Sequence, residues 1–202
     1  MKLRTLDDLE KVLQGKYAED VRDFPAKFAK LIPRSAPTDQ AVQVQAAVKQ
    51  LTGCDCSSDL IGMMTRWDFT HLNVAGFSFG YQKTFAERLI ENNRSDALDT
   101  WWEDAFEQRP PTHLFIAQSD PYVLVMNVQS DAVLAYVASD GAGTAVKVAH
   151  GLSMCLRMLL TVQLFSLGDL GSPAVDDIKG ALGQDCDAQF WSTQIQHWAE
   201  FN

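Results

Sequence analysis

Cysteine is scarce in this chain: its 202 residues include only four, Cys54, Cys56, Cys155 and Cys186. So small a number excludes a disulfide-stapled scaffold and predicts a reduced, intracellular protein with free thiols. Only Cys54 and Cys56 are close in sequence, and neither the isolated histidines nor a second cysteine pair completes a zinc-binding pattern. We therefore expect no metal site and no other cofactor.

A long apolar run is also missing. The charged residues that interrupt the N-terminal leucines are Lys2, Arg4, Asp7, Asp8, Glu10 and Lys11. The chain therefore lacks the pattern of a signal peptide. The most apolar segment, 150–167, contains Arg157 and Gln163 and is barely long enough to cross a bilayer, which favours a helix buried against other elements. The sequence thus predicts a cytoplasmic protein that does not span a membrane.

Positive charge is in deficit, with 17 Lys and Arg against 26 Asp and Glu and a net charge of -9. The N-terminal segment 1–34 is slightly basic, so the negative charge belongs to the rest of the chain. An acidic body repels nucleic-acid phosphates and attracts basic proteins. This excludes nucleic acid as the expected ligand and favours a basic protein partner. The alternative explanation is that the charge only keeps the protein soluble.

Alternating apolar runs dominate the middle of the sequence. The two longest, Tyr122–Val128 and Ala132–Ala138, are rich in β-branched and aromatic residues and are separated by Gln129-Ser-Asp131, which is typical of a hairpin loop. Shorter runs that predict further strands lie at 72–79, 114–117 and 145–148. Because the later strands follow one another without intervening helices, the pattern predicts an α+β fold. We expect an antiparallel sheet of about four to six strands, flanked by helices and by N- and C-terminal helical extensions.

Helical periodicity surrounds these strands. The segments predicted as helices are 6–14, 39–51, 58–67, 82–92, 95–108, 150–167, 174–182 and a last one beginning at 185–187. Ser57 or Ser58 is the expected N-cap of the third, and Gly53 is the expected end of the second. The expected units are an N-terminal helical arm (1–38), an α+β domain (39–167) and a C-terminal helical extension packed on the same domain (168–202).

The predicted helix at 95–108 has one acidic face and one apolar face. Its structural explanation is a solvent-exposed amphipathic helix with its tryptophans in the core. The functional alternative is a protein-binding surface in which Trp101 is an exposed anchor surrounded by carboxylates. The residues predicted to contact a partner are Asp99, Trp101, Glu103, Asp104 and Glu107 on this helix, with Asp120, Asp131 and Asp140 at strand ends extending the same negative field.

One motif raises the alternative of an enzyme. Gly76-Phe-Ser-Phe-Gly80 fits the G-x-S-x-G pattern of a hydrolase nucleophile elbow and lies between a predicted strand and a predicted helix. The residues that follow in the chain order of a catalytic triad are Asp120 or Asp140 and then His150 or His197. However, an α/β-hydrolase needs parallel strands before its elbow, whereas 1–70 predicts helices and the later strands form antiparallel hairpins. A serine hydrolase using Ser78 is thus an alternative, and the sequence favours a protein that is not an enzyme.

Six segments of the chain follow one another in the order of a known family. They are Val48–Leu60, Leu72–Gly76, Pro111–Asp120, Tyr122–Asn127, Val133–Tyr136 and Val148–Ser153. This layout, which extends from the region of residue 40 to residue 167, resembles the SUKH superfamily. That superfamily includes many bacterial immunity proteins of polymorphic-toxin and type VI secretion systems. The likeness is one of pattern and involves no catalytic motif.

The resemblance implies a protein that binds and neutralises a cognate secreted toxin, so that the producing cell and its kin survive. Because no signal peptide is predicted, the toxin would be met in the cytoplasm, which favours a nuclease or a nucleotide-directed toxin. An acidic inhibitor would occlude the basic active-site face of such a toxin. The alternative function is that of a non-catalytic cytosolic adaptor or regulator of the same fold. The oligomeric state is also open, and a homodimer is one possibility.

Overall fold

The computed structural model describes residues 3–68, 70–80, 83–94, 110–137, 144–167 and 175–199. Within these ranges, helices occupy most of the two ends of the chain and strands cluster in the middle. The sheet is antiparallel and helices flank it. The architecture is therefore α+β, which confirms the predicted fold class.

Nine α-helices lie within the described ranges. They are α1 (Leu6–Lys16), α2 (Ala18–Asp23), α3 (Pro25–Phe28), α4 (Gln40–Thr52), α5 (Ser58–Arg66), α6 (Phe85–Asn92), α7 (Leu152–Ser166), α8 (Val175–Leu182) and α9 (Ala188–Ala199). A short 3-10 turn, Ala29–Leu31, follows α3. Ser57 caps α5 by accepting a hydrogen bond from the Leu60 N–H, and α4 ends at Gly53. Both helix boundaries confirm the sequence prediction.

The strands form a six-stranded sheet and a separate two-stranded ribbon. The ribbon pairs β1 (Arg34–Ser35) with β2 (Trp67–Asp68). The sheet contains β3 (Asn73–Val74), β4 (Phe77–Ser78), β5 (His113–Ser119), β6 (Tyr122–Asn127), β7 (Val133–Val137) and β8 (Val146–Ala149). These six strands are neighbours in chain order, and every pair is antiparallel. The meander of β5 to β8 confirms the predicted alternating strands.

The segment predicted as one strand, 72–79, is instead a tight hairpin. Its turn residues, Ala75 and Gly76, both have positive φ, 46° and 74°, a conformation that suits the twist of two short flanking strands. A side chain at position 76 would also collide with its surroundings, because a Cβ would lie 2.8 Å from Ser119 Oγ and 2.9 Å from the Trp198 ring. The prediction of a continuous strand is wrong because these two left-handed residues reverse the chain.

Helix α7 packs against the sheet and contributes much of the core. Leu159 of α7 and Leu124 of β6 are fully buried in one apolar cluster. The same cluster includes Leu9 of α1 and Trp191 of α9. The helices near both ends of the chain therefore share one core with the sheet.

Polar side chains of α7 tie the N-terminal region to this core. Arg157 donates hydrogen bonds to two backbone oxygens just before α1, at 2.7 and 2.8 Å. Gln163 is buried; its Oε1 accepts from the Ala75 N–H at 3.1 Å and its Nε2 donates to the Tyr17 hydroxyl at 3.0 Å. These bonds satisfy polar groups that burial removes from water.

The opposite face of the sheet has a smaller apolar cluster, formed by Phe115, Val123, Val125 and Tyr136. Asn93, which follows α6, fixes the end of that helix to β5. Its side-chain amide accepts from the Phe115 N–H at 2.8 Å and donates to the Phe115 carbonyl at 3.2 Å. Within the described residues, β4 pairs with β5 only through Ser78 and Gln118. Asn93 thus supplies a strand-like contact farther along β5.

Several predicted features fall outside the described residues, including the helix at 95–108 and the stretch 168–174. The predicted C-terminal helices are present as α8 and α9. None of the helices in the described ranges combines the length and the hydrophobicity that a membrane span requires.

Candidate functional site

A cleft of about 550 Å³ opens between the ribbon, the start of α4 and the start of α6. The residues that line it are Arg34, Pro37, Asp39, Gln40, Gln43, Asp68, Thr70, His71, Lys83 and Thr84. Its volume lies within the range of small-molecule and cofactor sites. All of these residues except Pro37 have polar side chains, and hydrogen bonds hold several of them in place.

Asp68 is the buried carboxylate of the cleft. The ribbon places Arg34 directly opposite Asp68, whose Oδ2 accepts hydrogen bonds from Arg34 Nε at 2.8 Å and Nη2 at 2.6 Å. Its Oδ1 accepts from the Thr70 N–H at 2.9 Å. Burial alone would raise the pKa of this carboxyl, but the hydrogen bonds from Thr70 and Arg34 outweigh that effect and hold the pKa below its ordinary value. Asp68 is therefore an ionised group that orients Arg34.

His71 lies beside this pair with its ring largely buried. Its Nε2 donates to the Ile32 carbonyl at 2.8 Å, which leaves Nδ1 as the unprotonated nitrogen. Nδ1 is 4.0 Å from Asp68 Oδ2 and has no hydrogen-bond partner among the described residues. Burial lowers the pKa of the imidazole below its ordinary value, so the ring is neutral near pH 7. We call Arg34, Asp68 and His71 the buried triad.

The helix ends around the cleft are held by similar bonds. Gln40, at the start of α4, donates from Nε2 to the backbone oxygens of Met64 at 2.9 Å and Trp67 at 2.8 Å, and so joins α4 to the ribbon. Thr84 caps α6 in a reciprocal arrangement with Glu87, whose carboxylate accepts from the Thr84 N–H. These contacts fix the walls of the cleft.

The Asp68 carboxylate and the Nε2 of His71 are thus occupied by structural bonds, whereas His71 Nδ1 is buried without a partner among the described residues. Asp68 holds Arg34 and the backbone, and His71 holds the segment before β1. The groups that remain accessible are long charged side chains, chiefly Arg34 (61% exposed) and Lys83 (51% exposed), each paired with a carboxylate. No serine or cysteine is among the lining residues described above.

Ser78, the serine of the G-x-S-x-G motif, lies in the second strand of the hairpin. Its backbone pairs with Asn73 on one side and Gln118 on the other, and its hydroxyl donates to the Gly80 carbonyl at 3.4 Å. A nucleophile elbow requires the serine at a sharp strand-to-helix turn. Helix α6 begins only at Phe85, after its cap Thr84, whereas Ser78 lies in β4 and so is not at the start of that helix.

Comparison with known proteins gives no relative for this chain. No protein-family model, curated protein or solved structure matches it.

The residues predicted to contact a partner are only partly within the described ranges. Those outside them are Asp99, Trp101, Glu103, Asp104, Glu107 and Asp140. Asp120 is exposed in the turn before β6, which contains a cis Asp120–Pro121 bond, and Asp131 is half-buried in the loop after β6, with φ 59°. The two lie at opposite ends of β6, so the structure does not bring them together at one edge of the sheet.

A second polar cluster, which the sequence does not indicate, lies between β8 and the turn joining α8 to α9. We call it the surface cluster; it consists of Lys147, His150, Asp185 and Cys186. The Lys147 ammonium donates to Asp185 Oδ2 at 2.7 Å and to His150 Nδ1 at 2.9 Å. His150 Nε2 is 3.0 Å from Asp185 Oδ1. Burial raises the pKa of the neighbouring Cys186 thiol, so this group is a thiol near pH 7.

The other cysteines are free thiols in different surroundings. Cys54 and Cys56 are half-buried, whereas Cys155 is fully buried in α7. Burial, with the nearby carboxylates of Asp131 and Asp55, raises the pKa of the Cys56 thiol to about 11. A protonated thiol is a weak nucleophile and a weak metal ligand.

The sequence does not predict either polar cluster, because the members of each come from distant parts of the chain. Arg34 and Asp68 meet only when the ribbon forms. One local signal was present: Asp68 stands between Trp67 and Phe69, and a carboxylate among large aromatics is typically buried with a partner. No comparable signal pointed to the surface cluster.

Proposed function

We propose that this protein is a non-catalytic binding protein of the immunity type, which neutralises a cognate toxin in the cytoplasm. The observation that supports it most is the placement of the SUKH-like segments. The segments Pro111–Asp120, Tyr122–Asn127 and Val133–Tyr136 coincide with β5, β6 and β7, and Val148–Ser153 joins the end of β8 to the start of α7. Such agreement is expected if the resemblance reflects a shared fold.

The cleft supports binding in preference to catalysis. The Asp68 carboxylate is occupied by hydrogen bonds that hold the ribbon in place, and His71 Nδ1, which has no partner among the described residues, is buried away from solvent. A general base or a nucleophile must instead be free to reach a substrate proton or a reacting carbon. The serine alternative is also weakened, because Ser78 lies within a hairpin strand.

The proposed partner is a basic toxin or toxin domain, and the support is electrostatic. A net charge of -9 attracts a basic protein over a distance of about one Debye length and accelerates encounter. A nuclease must present positive charge to bind phosphate, so an acidic protein can occupy that face and exclude substrate. The acidic residues Asp99 and Glu103, with Trp101, are the contacts we propose.

The proposal expects a secreted protein with a C-terminal toxin domain to be encoded next to this protein, and the decisive experiment uses such a domain. That domain is expressed in a bacterial host with and without this protein, and growth is measured. We expect the toxin alone to arrest growth and co-expression to restore it. Binding kinetics of the purified pair are then measured at two salt concentrations, for wild type, Asp99→Lys/Glu103→Lys and Trp101→Ala.

Charged residues at the edge of a protein–protein interface mainly affect the association rate, and an aromatic side chain buried in the interface mainly affects the dissociation rate. We therefore expect slower association for the charge-reversed variant and faster dissociation for Trp101→Ala. The matched control is Glu19→Lys/Asp23→Lys, which reverses two charges with the same spacing on α2. If this control slows association as much as the variant at 99 and 103 does, only the net charge matters and the proposed surface is wrong. Absence of both rescue and binding would count against the immunity function itself.

A non-catalytic regulator is the second candidate, and the cleft is the observation that favours it. A volume of about 550 Å³ would accept a small polar ligand. If Arg34→Gln leaves toxin rescue intact while ligand-induced stabilisation in a metabolite screen is lost, the cleft has a role separate from toxin binding.

A further inference from the structure

We propose that the surface cluster binds a divalent transition-metal ion of the Zn²⁺ type, with His150, Asp185 and Cys186 as protein ligands. One donor atom from each of these residues lies within 4.8 Å of the other two. The three belong to two distant parts of the chain, the residue after β8 and the turn between α8 and α9. The inference does not depend on the proposed function.

The donor types select the class of metal. An imidazole nitrogen, a carboxylate oxygen and a thiolate sulfur are together typical of zinc and its neighbours, whereas calcium and magnesium require oxygen ligands. Tetrahedral zinc places its nitrogen and oxygen ligands about 3.3 Å apart and its nitrogen and sulfur ligands about 3.6 Å apart. The distance from His150 Nε2 to Asp185 Oδ1 is 3.0 Å, so these two donors need only a small adjustment. A water molecule would be the fourth ligand.

The backbone holds the two parts of the cluster together. The Asp187 N–H donates to the Lys147 carbonyl at 2.6 Å, and Trp191 Nε1 donates to the Val148 carbonyl at 2.8 Å. These bonds position the turn against β8 without using any of the proposed ligand atoms. The donors are therefore brought together by the fold itself.

Gly183 keeps the space beside these donors open. Its φ is +101°, a conformation that favours glycine, and a Cβ there would lie 2.9 Å from His150 Nε2 and 3.3 Å from Asp185 Oδ1. A methyl group at this position would occupy the space from which a metal ion approaches the two donors.

The hydrogen bond from Lys147 to His150 determines which ring nitrogen carries the proton that a metal ion must displace. An ammonium group can only donate, so His150 Nδ1 accepts from it and the ring proton is on Nε2, where it faces Asp185 Oδ1. On metal binding, Cys186 loses its thiol proton to solvent, and the ring proton of His150 moves from Nε2 to Nδ1. Lys147 turns away from Nδ1 and keeps its bond to Asp185 Oδ2. The lysine thus weakens metal binding without preventing it.

Cobalt is the probe, because Co²⁺ binds zinc sites and reports its ligands by absorption. The full-length protein is freed of metal with a chelator, titrated with Co²⁺ under reducing conditions and then back-titrated with Zn²⁺. We expect a thiolate-to-cobalt band in the near ultraviolet, strong visible bands of tetrahedral Co²⁺, one ion per chain, and loss of both signals as Zn²⁺ replaces cobalt. A protein that shows no thiolate band at saturating cobalt contradicts the proposal.

Variants assign the ligands. Cys186→Ser should abolish the near-ultraviolet band and His150→Gln should weaken cobalt binding at least tenfold, since each removes one of three protein ligands. Gly183→Ala should abolish tetrahedral binding, and circular dichroism verifies that each variant is folded. The matched control, Cys54→Ser/Cys56→Ser, removes the only closely spaced thiols and should leave the spectrum unchanged. A band that survives Cys186→Ser, or disappears in the control, assigns the metal to the other cysteines and overturns the proposal.

Substitution of Lys147 distinguishes a metal site from a cluster of residues that only form ion pairs with one another. Lys147→Gln removes a positive charge near the ion and offers Nδ1–H an acceptor, so Zn²⁺ affinity should rise by roughly tenfold. If His150 and Asp185 serve only as partners of Lys147, the substitution leaves metal binding unchanged or absent, and the proposal is wrong.

Discussion

The buried triad and the surface cluster place the same chemistry in two different environments. Each combines a cation, a carboxylate and an imidazole: Arg34, Asp68 and His71 in the first, Lys147, Asp185 and His150 in the second. The Asp68 side chain is 5% exposed, whereas that of Asp185 is 60% exposed. The cations do not follow this order, since Arg34 is 61% and Lys147 27% exposed, but the imidazoles do, at 17% for His71 and 44% for His150. The two sites therefore differ in the access of water to their carboxylate and imidazole.

The difference in exposure to water determines whether the residues of each cluster can exchange hydrogen-bond partners. In the buried triad, a buried carboxylate without a partner would be costly, so Asp68 keeps its bonds to Arg34 and to the Thr70 N–H and holds the ribbon. In the surface cluster, water replaces a lost bond at little cost, so the groups can exchange partners. The first arrangement is therefore structural, and the second is where a ligand can compete.

The largest effect is expected when a carboxylate is buried without a cation. Val125 is 1% exposed in the apolar cluster on the second face of the sheet. Val125→Asp should lower the free energy of unfolding by about 4 kcal/mol or prevent folding, because the new charge has no partner there. Urea unfolding measures this. Val42→Asp is the control, since Val42 is 69% exposed and the same substitution should change stability little; equal losses at both positions would mean that burial is not the cause.

A smaller loss is expected when the buried carboxylate is removed from its partners. Asp68→Ala breaks the bonds to Arg34 and to the Thr70 N–H and should lower the free energy of unfolding by about 2–3 kcal/mol. Asp68→Asn retains an acceptor for Thr70 and should cost less. Chemical denaturation of both variants tests this order. Asp55→Ala, which removes an exposed partner of Lys49, is the control; a loss at Asp68 no larger than at Asp55 would show that the triad is not structural.

Acid should weaken the buried triad through His71 at a pH where Asp68 is still ionised. The folded protein holds the pKa of His71 below the ordinary value of about 6.5, so the unfolded chain binds a proton first. The contribution of His71 is fully present above pH 6.5 and is lost as pH falls below it. The contribution of Asp68 is present above the ordinary pKa of about 3.9 and is lost at lower pH, as the folded carboxyl becomes protonated.

The measurement is urea unfolding of wild type and His71→Gln between pH 8 and pH 5. We expect wild-type stability to fall across this range more steeply than that of the variant, because the other three histidines are present in both proteins. Parallel curves would show that His71 titrates alike in the folded and unfolded chains.

The smallest effect is expected in the surface cluster. The hydrogen bond from Lys147 holds the pKa of Asp185 below its ordinary value, but both side chains are accessible to water and salt. In a chelator-containing buffer, Asp185→Asn should shift the melting temperature by no more than the scatter between repeated scans, and high salt should remove even that shift. If Asp185→Asn lowers the melting temperature as much as Asp68→Ala does, the two sites do not differ in their contribution to stability.

The elements that sequence predicted well are those whose signal is local. Strands β5 to β8 follow from alternating apolar residues, and α7 follows from a long apolar segment after them. The hairpin at Ala75 and Gly76 was missed because its strands are too short to show alternation. The ribbon was missed because its pairing depends on Arg34 and Asp68, which are far apart in the chain. Both polar clusters follow from tertiary packing, which periodicity does not report.

The contact between Asn93 and β5 has a consequence for how molecules of this protein meet one another. An uncovered strand edge can pair with a strand of a second molecule and begin aggregation. At Phe115 both backbone groups are already bonded to one side-chain amide, so that position offers no free N–H to an incoming chain. A single asparagine side chain thereby occupies a position of β5 to which the described pairing with β4 does not extend.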